Sequence, residues 1–211
     1  IPNISWHDSM KSFADSEGFA YSEGTDYRHF TGSAVIPRLT MSQGCLHKCA
    51  FCVVPDKLET TSKQVIDQQA ESFSNLNSGL VYLNDKTFGQ ADNYEHLVNV
   101  KQMLEQTNPE FEGFIVQTTA ASINKMSDEF LQKSGIKYVE LGIESYNDLI
   151  LKTLHKPHNI TMIDRAVDKL RNNNIQIIPN IIIGLPAETA KTYAATQDFL
   201  NRNADVISHA N

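Results

Sequence analysis

Three cysteines within eight residues are the residues of this sequence best suited to chemistry. Cys45, Cys49 and Cys52 follow a C-x3-C-x2-C spacing, and an odd number of thiols crowded in this way does not form a disulfide framework. In a reducing compartment this grouping is typical of metal or cluster binding. Three thiolates can hold three corners of a [4Fe–4S] cluster and leave the fourth iron open to a chelating amine and carboxylate.

A zinc site is the alternative interpretation of the same thiols. His47 lies inside the loop and the chain has seven histidines, so one of them could supply a fourth ligand. Structural zinc sites usually take two pairs of ligands from separate segments, and the sequence has no second pair of cysteines. The spacing therefore favours an iron–sulfur cluster, with zinc as the alternative to be tested.

The composition predicts a single globular domain around this loop. The 211 residues are 41% hydrophobic, which is enough for one substantial core. Lys and Arg number 18 against 25 Asp and Glu, and the net charge of -7 is scattered, so a nucleic-acid partner is not indicated. No apolar run approaches the roughly 20 residues that span a bilayer, and the start lacks a signal peptide. We therefore expect a cytoplasmic protein without membrane contact.

From residue 34 onward, short runs rich in strand-forming residues alternate with amphipathic helical stretches. The predicted strands are 34–41, 80–84, 114–118, 138–143, 175–183 and 205–208. The predicted helices are 62–77, with Gly79 as its stop, 92–106, 127–134, ended by Gly135, 161–173 and 188–201. Strands separated by such helices form right-handed βαβ units around a parallel sheet, with function at the carboxyl ends of the strands.

Six strands and five major helices predict an α/β fold, an open partial (β/α)6 barrel with parallel strands. A complete eight-fold barrel normally takes about 250 residues. A doubly wound sheet of the flavodoxin type is the alternative. Residues 1–33 lack helical or strand periodicity and are predicted to be a linker or an extension, whereas 34–211 form the core. Because the chain begins on Ile1 instead of Met, we expect that its first residues are not the start of the gene product. Because it stops after the sixth predicted strand, we expect a core truncated on its C-terminal side.

The segment around the cysteines resembles the first strand and cluster loop of radical S-adenosylmethionine (radical SAM) enzymes. The match runs from Ile36 to Pro55 and includes Gly44 before the first cysteine and Phe51 before the third. In that family the open iron binds S-adenosylmethionine (SAM), and one electron from the cluster breaks its S–C5′ bond. The products are methionine and a 5′-deoxyadenosyl radical that takes hydrogen from a substrate. The resemblance covers 34–208 and implies Phe51 as a cofactor contact and flavodoxin or ferredoxin as a one-electron reductant.

The resemblance also implies SAM contacts at the ends of the second and fourth strands. Asn84 and Asp85 occupy the place where the family often has a Gly-Gly-Glu segment that receives the methionyl amine. The sequence there is closer to the Asp-x-x-Phe variant of cobalamin-associated members, which makes Asp85 the candidate carboxylate. Composition alone would assign both residues to a turn. Glu144 and Ser145 correspond to the segment that binds the ribose, and helix capping is their alternative role.

The remaining candidates lie along the same rim. Lys156 falls where relatives place a basic residue against the methionyl carboxylate, with a solvent-exposed lysine at a helix end as the alternative. Ile182 and Leu185 belong to the segment after the fifth strand that resembles the one packing on the adenine. Gln117 and Thr118 end the third strand and point toward the rim, where they would touch cofactor or substrate or serve only as polar cover.

The resemblance implies an enzyme that cleaves SAM reductively and acts on an unknown substrate. Within the family it leans toward cobalamin-associated members, such as cobalamin-dependent methyltransferases, and then toward enzymes of the methylthiotransferase type. The sequence contains no recognisable cobalamin-binding domain and no second cysteine group, so cobalamin would be held by a domain outside this chain. A non-catalytic module that binds zinc or an iron–sulfur cluster is the alternative from another class.

Overall fold

The computed structural model describes residues 10–17, 25–30, 32, 34–74 and 76–211. The linker or extension predicted for 1–33 therefore lies largely outside the described residues. Its described part contains a helix that was not predicted, α1 (Met10–Glu17), and a contact with the core at Tyr27. The Tyr27 ring lies 5.4 Å from the Phe73 ring, and its backbone N–H donates to the Ser72 hydroxyl at 3.1 Å.

Parallel strands form the main sheet of the described residues. The strands are, in chain order, β1 (Arg38–Leu39), β2 (Ser42–Gln43), β3 (Glu59–Thr60), β4 (Leu80–Leu83), β5 (Gly113–Thr118), β6 (Ile136–Glu144) and β7 (Gln176–Ile181). The main sheet has the order β1-β4-β5-β6-β7 with every neighbour parallel, while β2 and β3 form a separate antiparallel pair. The α/β prediction with parallel strands is confirmed.

The sixth predicted strand exists only as a short addition to the sheet. Ile207 forms a parallel bridge with Ile177. The chain then continues beside β7, where Asn211 donates its N–H to the Pro179 carbonyl at 3.0 Å and accepts from the Ile181 N–H at 2.9 Å. The described sheet therefore gains one partial strand beside β7, as expected for an open barrel.

Helices connect the strands and cover one face of the sheet. After α1 they are α2 (Lys63–Glu71), α3 (Leu97–Thr107), α4 (Ala120–Lys125), α5 (Asp128–Ser134), α6 (Asp148–Thr153), α7 (Ile160–Asn172) and α8 (Ala190–Arg202). The prediction that Gly79 stops the first of them is wrong. Helix α2 ends at Glu71, because the Ser72 hydroxyl donates to the Gln69 carbonyl and the chain turns there. No helix of the described residues is long and apolar enough to cross a membrane.

The two faces of the sheet differ in chemistry. Fully buried apolar side chains, among them Leu83, Val116 and Leu141, face the helices and form the core. The alternate positions carry polar side chains, such as Tyr82 on β4 and Glu140 on β6, whose hydroxyl and carboxylate are hydrogen-bonded at 2.7 Å. Complete barrels fill their inward positions with bulky apolar residues. The polar face of this sheet is therefore better suited to binding a ligand than to forming a closed apolar core.

Candidate functional site

The cysteine loop lies between β2 and β3, at the carboxyl end of β1. The Cys45 N–H donates to the Pro55 carbonyl at 3.0 Å, which closes the loop on itself. The Ala50 N–H donates to the Leu154 carbonyl at 2.9 Å, which ties the loop to the end of α6. Cys45 is buried, Cys52 is exposed and Cys49 lies between these extremes. The thiols therefore share one fixed loop at the functional end of the sheet.

Glycine is required where this loop begins. Gly44 has a φ of 81°, in the left-handed region that L side chains rarely adopt. A Cβ at this position would lie 1.8 Å from the Lys57 carbonyl oxygen. The segments just before and just after the cysteine loop could then not lie as close together as they do. The glycine before the first cysteine therefore allows the backbone turn and the close packing with which the loop begins.

We expect Gly44→Ala to destabilise the chain by at least about 2 kcal/mol more than Gly184→Ala. Gly184 is a matched control, because its φ of 82° imposes the same backbone strain while a Cβ there would meet no atom within 4 Å. The difference between the two variants isolates the clash with Lys57. Urea unfolding of both variants measures it, and equal losses would contradict the packing described for Gly44.

The thiols fit an iron–sulfur cluster. Burial raises the pKa of the Cys49 thiol, Lys156 opposes this rise, and Glu144 and the other two cysteines add to it. Ionised, the three thiols would repel one another, and a cationic iron core removes that cost. In the described part of the chain no three His, Cys, Asp or Glu side chains lie close enough to hold one metal ion. This finding concerns a single ion and does not apply to a cluster, in which each thiolate binds a different iron.

A buried ion pair lies beside the loop. Glu144 ends β6, and its Oε2 lies 2.8 Å from the Nζ of Lys156, with the side chains only 8% and 4% exposed. Burial raises the pKa of Glu144, and the Lys156 ammonium opposes this rise. Gly142 leaves room for the pair, because a Cβ there would lie 3.0 Å from Glu144 Oε1 and 3.3 Å from Lys156 Nζ. The solvent-exposed alternative for Lys156 is wrong.

Backbone strain coincides with this pair. Glu144 has a φ of 60°, and the β6–β7 register shifts between Gly142 and Glu144. Capping of the next helix does not explain the conformation, since the Asn147 side chain caps α6 by accepting from the Ile150 N–H. Ser145 is also not the cap, and its hydroxyl is buried without a partner among the described residues. Strain and buried charge at one point are features that concentrate at functional sites.

The ion pair reaches residues of the cysteine loop. Lys156 Nζ lies 5.8 Å from the centre of the Phe51 ring. Burial lowers the pKa of His47 and of His158, and the Lys156 charge lowers both further, that of His158 to about 3. The structure therefore brings Phe51, Glu144 and Lys156 close together beside the loop, and the buried His158, which sequence analysis missed, lies near Lys156. Their contact with SAM stays a prediction.

Asp85 holds the segment that leads into the cysteine loop. Its carboxylate accepts from the Met41 N–H at 2.9 Å and from the Ser42 hydroxyl, and the residue is only 2% exposed. Burial raises its pKa, and these hydrogen bonds oppose the rise. Both carboxylate oxygens are engaged in holding the turn that leads into the loop. Contact between Asp85 and a methionyl amine stays a prediction.

Asn84 and Gln117 lie on the polar face of the sheet. Asn84 lines a cavity of about 590 Å³ together with Thr40, Gly44 and Pro55, and this volume suits a small-molecule ligand. Gln117 sits opposite Glu140 in the β5–β6 register. The cavity therefore borders both the cysteine loop and the strand end that carries Asn84.

The predicted adenine segment splits into packing and exposed residues. Leu185 is buried against Ile150 and Leu154 of the α6 region, and Ile182 packs on the same cluster. The Ile182 N–H also donates to the Glu144 carbonyl at 3.1 Å. Ile183, which sequence analysis did not select, is 70% exposed at this rim. Leu185 thus supports the helix end that holds the cysteine loop.

Comparison with known proteins places this geometry in a family. The Radical SAM superfamily model matches residues 39–200. The ribosomal protein uS12 methylthiotransferase RimO of Desulfotalea psychrophila is 25% identical over 175 residues, which cover 76% of this chain and 39% of that protein. The tRNA-2-methylthio-N(6)-dimethylallyladenosine synthase of Jannaschia sp. is 22% identical over 180 residues, which cover 77% and 38%. The chain thus spans about two fifths of these curated relatives.

A solved structure shows the same fold. The radical S-adenosylmethionine methyltransferase TsrM from Kitasatospora setae, with cobalamin and a [4Fe–4S] cluster bound, superposes with a TM-score of 0.67 at 15% identity. The superposition covers 87% of this chain and 37% of that chain. Together with the family match over most of the sequence, the partial barrel and the cysteine loop at its carboxyl end show that the chain belongs to the radical SAM superfamily.

Proposed function

We propose that this chain holds one [4Fe–4S] cluster through Cys45, Cys49 and Cys52 and is the core of an enzyme that cleaves SAM reductively. The observation that carries the proposal is the fixed three-thiol loop beside the buried Glu144–Lys156 pair. When bound, the cluster supplies the electron that splits SAM into methionine and a 5′-deoxyadenosyl radical. The chain's own residues bind, orient and exclude water, as proteins do around cofactors that carry the difficult chemistry.

Glu144 and Lys156 are proposed to orient SAM. The left-handed backbone of Glu144 turns its carboxylate toward Lys156 at the rim, where one oxygen pairs with the ammonium. The other oxygen is available to accept from vicinal ribose hydroxyls. The Lys156 ammonium carries two further donors and positive charge suited to a methionyl carboxylate. Ser145, Asn84, Gln117 and the apolar Ile182 segment are proposed to complete the cofactor surface, with Phe51 covering the loop side.

Two branches of the family are proposed for the overall reaction. The first is cobalamin-dependent methyl transfer, with cobalamin held outside this chain; the Asp85-x-x-Phe88 segment and the fold shared with TsrM support it. The second is methylthio transfer, supported by 25% identity to RimO. The parent gene separates them, because a cobalamin-binding neighbour favours the first branch and a second cysteine-rich neighbour favours the second.

Either branch needs a one-electron reductant such as flavodoxin or ferredoxin in a reducing, cytoplasmic compartment.

We expect the cluster-loaded chain, reduced with dithionite, to form 5′-deoxyadenosine from SAM slowly and without added substrate. The thiol loop, the buried ion pair and the sheet rim that would surround SAM all lie within the described residues. Elements that close over an active site exclude water and couple cleavage to substrate, so without substrate the radical should be quenched unproductively.

Chromatography of the reaction measures this product, with Cys49→Ala as the background. Product above background supports the proposed cleavage. Product at or below background, despite a full cluster and measurable SAM binding, would mean that the chain does not carry the cleavage activity proposed for it.

A further inference from the structure

The sulfur of Cys45 has a hydroxyl neighbour within the protein. Thr87 Oγ1 lies 3.2 Å from Cys45 Sγ, and both side chains are buried. The backbone N–H of His47 also donates to this sulfur, at 3.4 Å. Within the described residues the sulfurs of Cys49 and Cys52 accept no comparable hydrogen bond. The structure therefore concentrates hydrogen-bonding groups on one of the three thiols.

The segment that carries Thr87 is anchored to the neighbouring strand β5. The Phe88 side chain is fully buried, and its backbone N–H donates to the Gln117 carbonyl at 2.8 Å. The Phe88 carbonyl accepts from the Thr118 hydroxyl at 2.7 Å. Because the adjacent residue is held on both sides of its peptide unit, the backbone of Thr87 is fixed. Its hydroxyl is therefore presented to the Cys45 sulfur by the fold.

The Thr87 hydroxyl has one hydrogen and two possible acceptors. Its Oγ1 lies 2.8 Å from the Lys86 carbonyl oxygen and 3.2 Å from Cys45 Sγ. While Cys45 is a thiol, its S–H can donate to Oγ1 and the hydroxyl can donate to the carbonyl. Binding of iron removes the thiol hydrogen, so the sulfur then becomes an acceptor only. A hydrogen bond to an ionised acceptor is about twice as strong as one between neutral groups, which favours donation to the sulfur.

We propose that the Thr87 hydroxyl donates to the Cys45 thiolate when the chain holds its cluster and thereby raises the cluster's reduction potential. The proposal rests on the proposed function, because it requires the cluster at the three cysteines. Reduction adds a negative charge to the cluster, and hydrogen bonds to its sulfurs stabilise that charge. Thr87 acts through the sulfur of Cys45 and is therefore a positioning residue for the electron that cleaves SAM.

An EPR-monitored redox titration of the reconstituted 211-residue chain, without SAM, tests the proposal. Thr87→Val removes the hydroxyl and keeps the branched shape of the side chain. We expect this variant to retain its iron and to be reduced with an equilibrium constant about tenfold less favourable, which lowers the potential by about 59 mV for a one-electron couple. Thr87→Ser keeps the hydroxyl and should therefore keep the potential of the unmodified chain.

Thr61→Val is the matched control. Thr61 is buried like Thr87, directly follows β3 where the chain leaves the cysteine loop, and contacts no sulfur through its hydroxyl in the part of the chain that the structure describes. The same change in the same region should therefore leave the potential unaltered. A lower potential in Thr87→Val alone supports the proposal, because a merely structural role would lower stability without making the potential follow the hydroxyl.

Two results would overturn the proposal and leave the proposed function intact. One is an unchanged potential in a fully loaded Thr87→Val chain, since the hydroxyl would then stay with the Lys86 carbonyl. The other is an equal shift in Thr87→Val and Thr87→Ser, which would assign the change to packing. If Thr87→Val fails to load, Thr87→Ala takes its place under the same criteria. Stoichiometric zinc in the unmodified chain would overturn the proposal together with the proposed function.

Discussion

Anaerobic reconstitution with iron and sulfide is expected to yield about four irons and four sulfides per chain, and Cys49→Ala is expected to abolish the cluster. Three thiolates hold three irons, and the fourth iron is left open. Removing Cys49 would leave a second iron without a protein ligand and would remove the central one of the three thiolates. Cys45→Ala and Cys52→Ala should behave in the same way. Iron and acid-labile sulfide analysis, together with visible absorbance, measures the outcome.

Gly184→Ala is the control for this experiment. Gly184 lies outside the cysteine loop, and a methyl group there meets no neighbouring atom, so the iron content should remain complete. Stoichiometric zinc in a colourless protein would contradict the cluster and favour the zinc alternative. Cysteine variants that retain four irons would show that the cluster is held elsewhere.

Elements with local signals were predictable from the sequence. Helix α5 is the clearest case, because Ser127 accepts from the Phe130 N–H at its start and Gly135 ends it in the left-handed conformation. The six-residue helices α4 and α6 were not predicted, since fewer than two turns give no measurable periodicity. The β2–β3 pair was also not predicted. Two residues are too few to show an alternating pattern in the sequence, and these strands pair only because the loop between them folds back.

Residue spacing alone predicted only the part of the site whose residues are close in sequence, and Asp85, Glu144 and Lys156 were selected through the family resemblance. The cysteine spacing is local, and it identified the loop directly. The Glu144–Lys156 pair spans twelve residues and forms only because α6 folds between them. Asp85 meets Met41, 44 residues away, so its place under the loop depends on the pairing of β1 with β4. His158 gave no signal, since only the tertiary fold shows that its nitrogens are buried.

Lys156→Met is expected to destabilise the chain by about 3–5 kcal/mol at neutral pH, the largest stability effect among the predicted variants. Removing the ammonium leaves the Glu144 carboxylate buried without its counter-ion, whereas the methionine replaces most of the lost volume. Urea unfolding of the apo chain measures the change. Lys133→Met is the control, because Lys133 pairs with Glu129 at 2.7 Å on the surface, where solvent screens the two charges and the loss of the pair should change stability little.

The pH dependence tests whether the buried charge causes this loss. Burial already raises the pKa of Glu144 above its unfolded value, and removing Lys156 raises it further. Between the unfolded and folded pKa values the native state binds the extra proton, so stability falls as pH rises through that window. The loss in Lys156→Met should therefore shrink as the pH falls toward the unfolded pKa of glutamate, and Glu144→Gln/Lys156→Met should recover most of it at neutral pH. A loss that is independent of pH and persists in the double variant would instead mean that Lys156 stabilises the fold through packing, because neither protonation nor removal of the carboxylate would then relieve it.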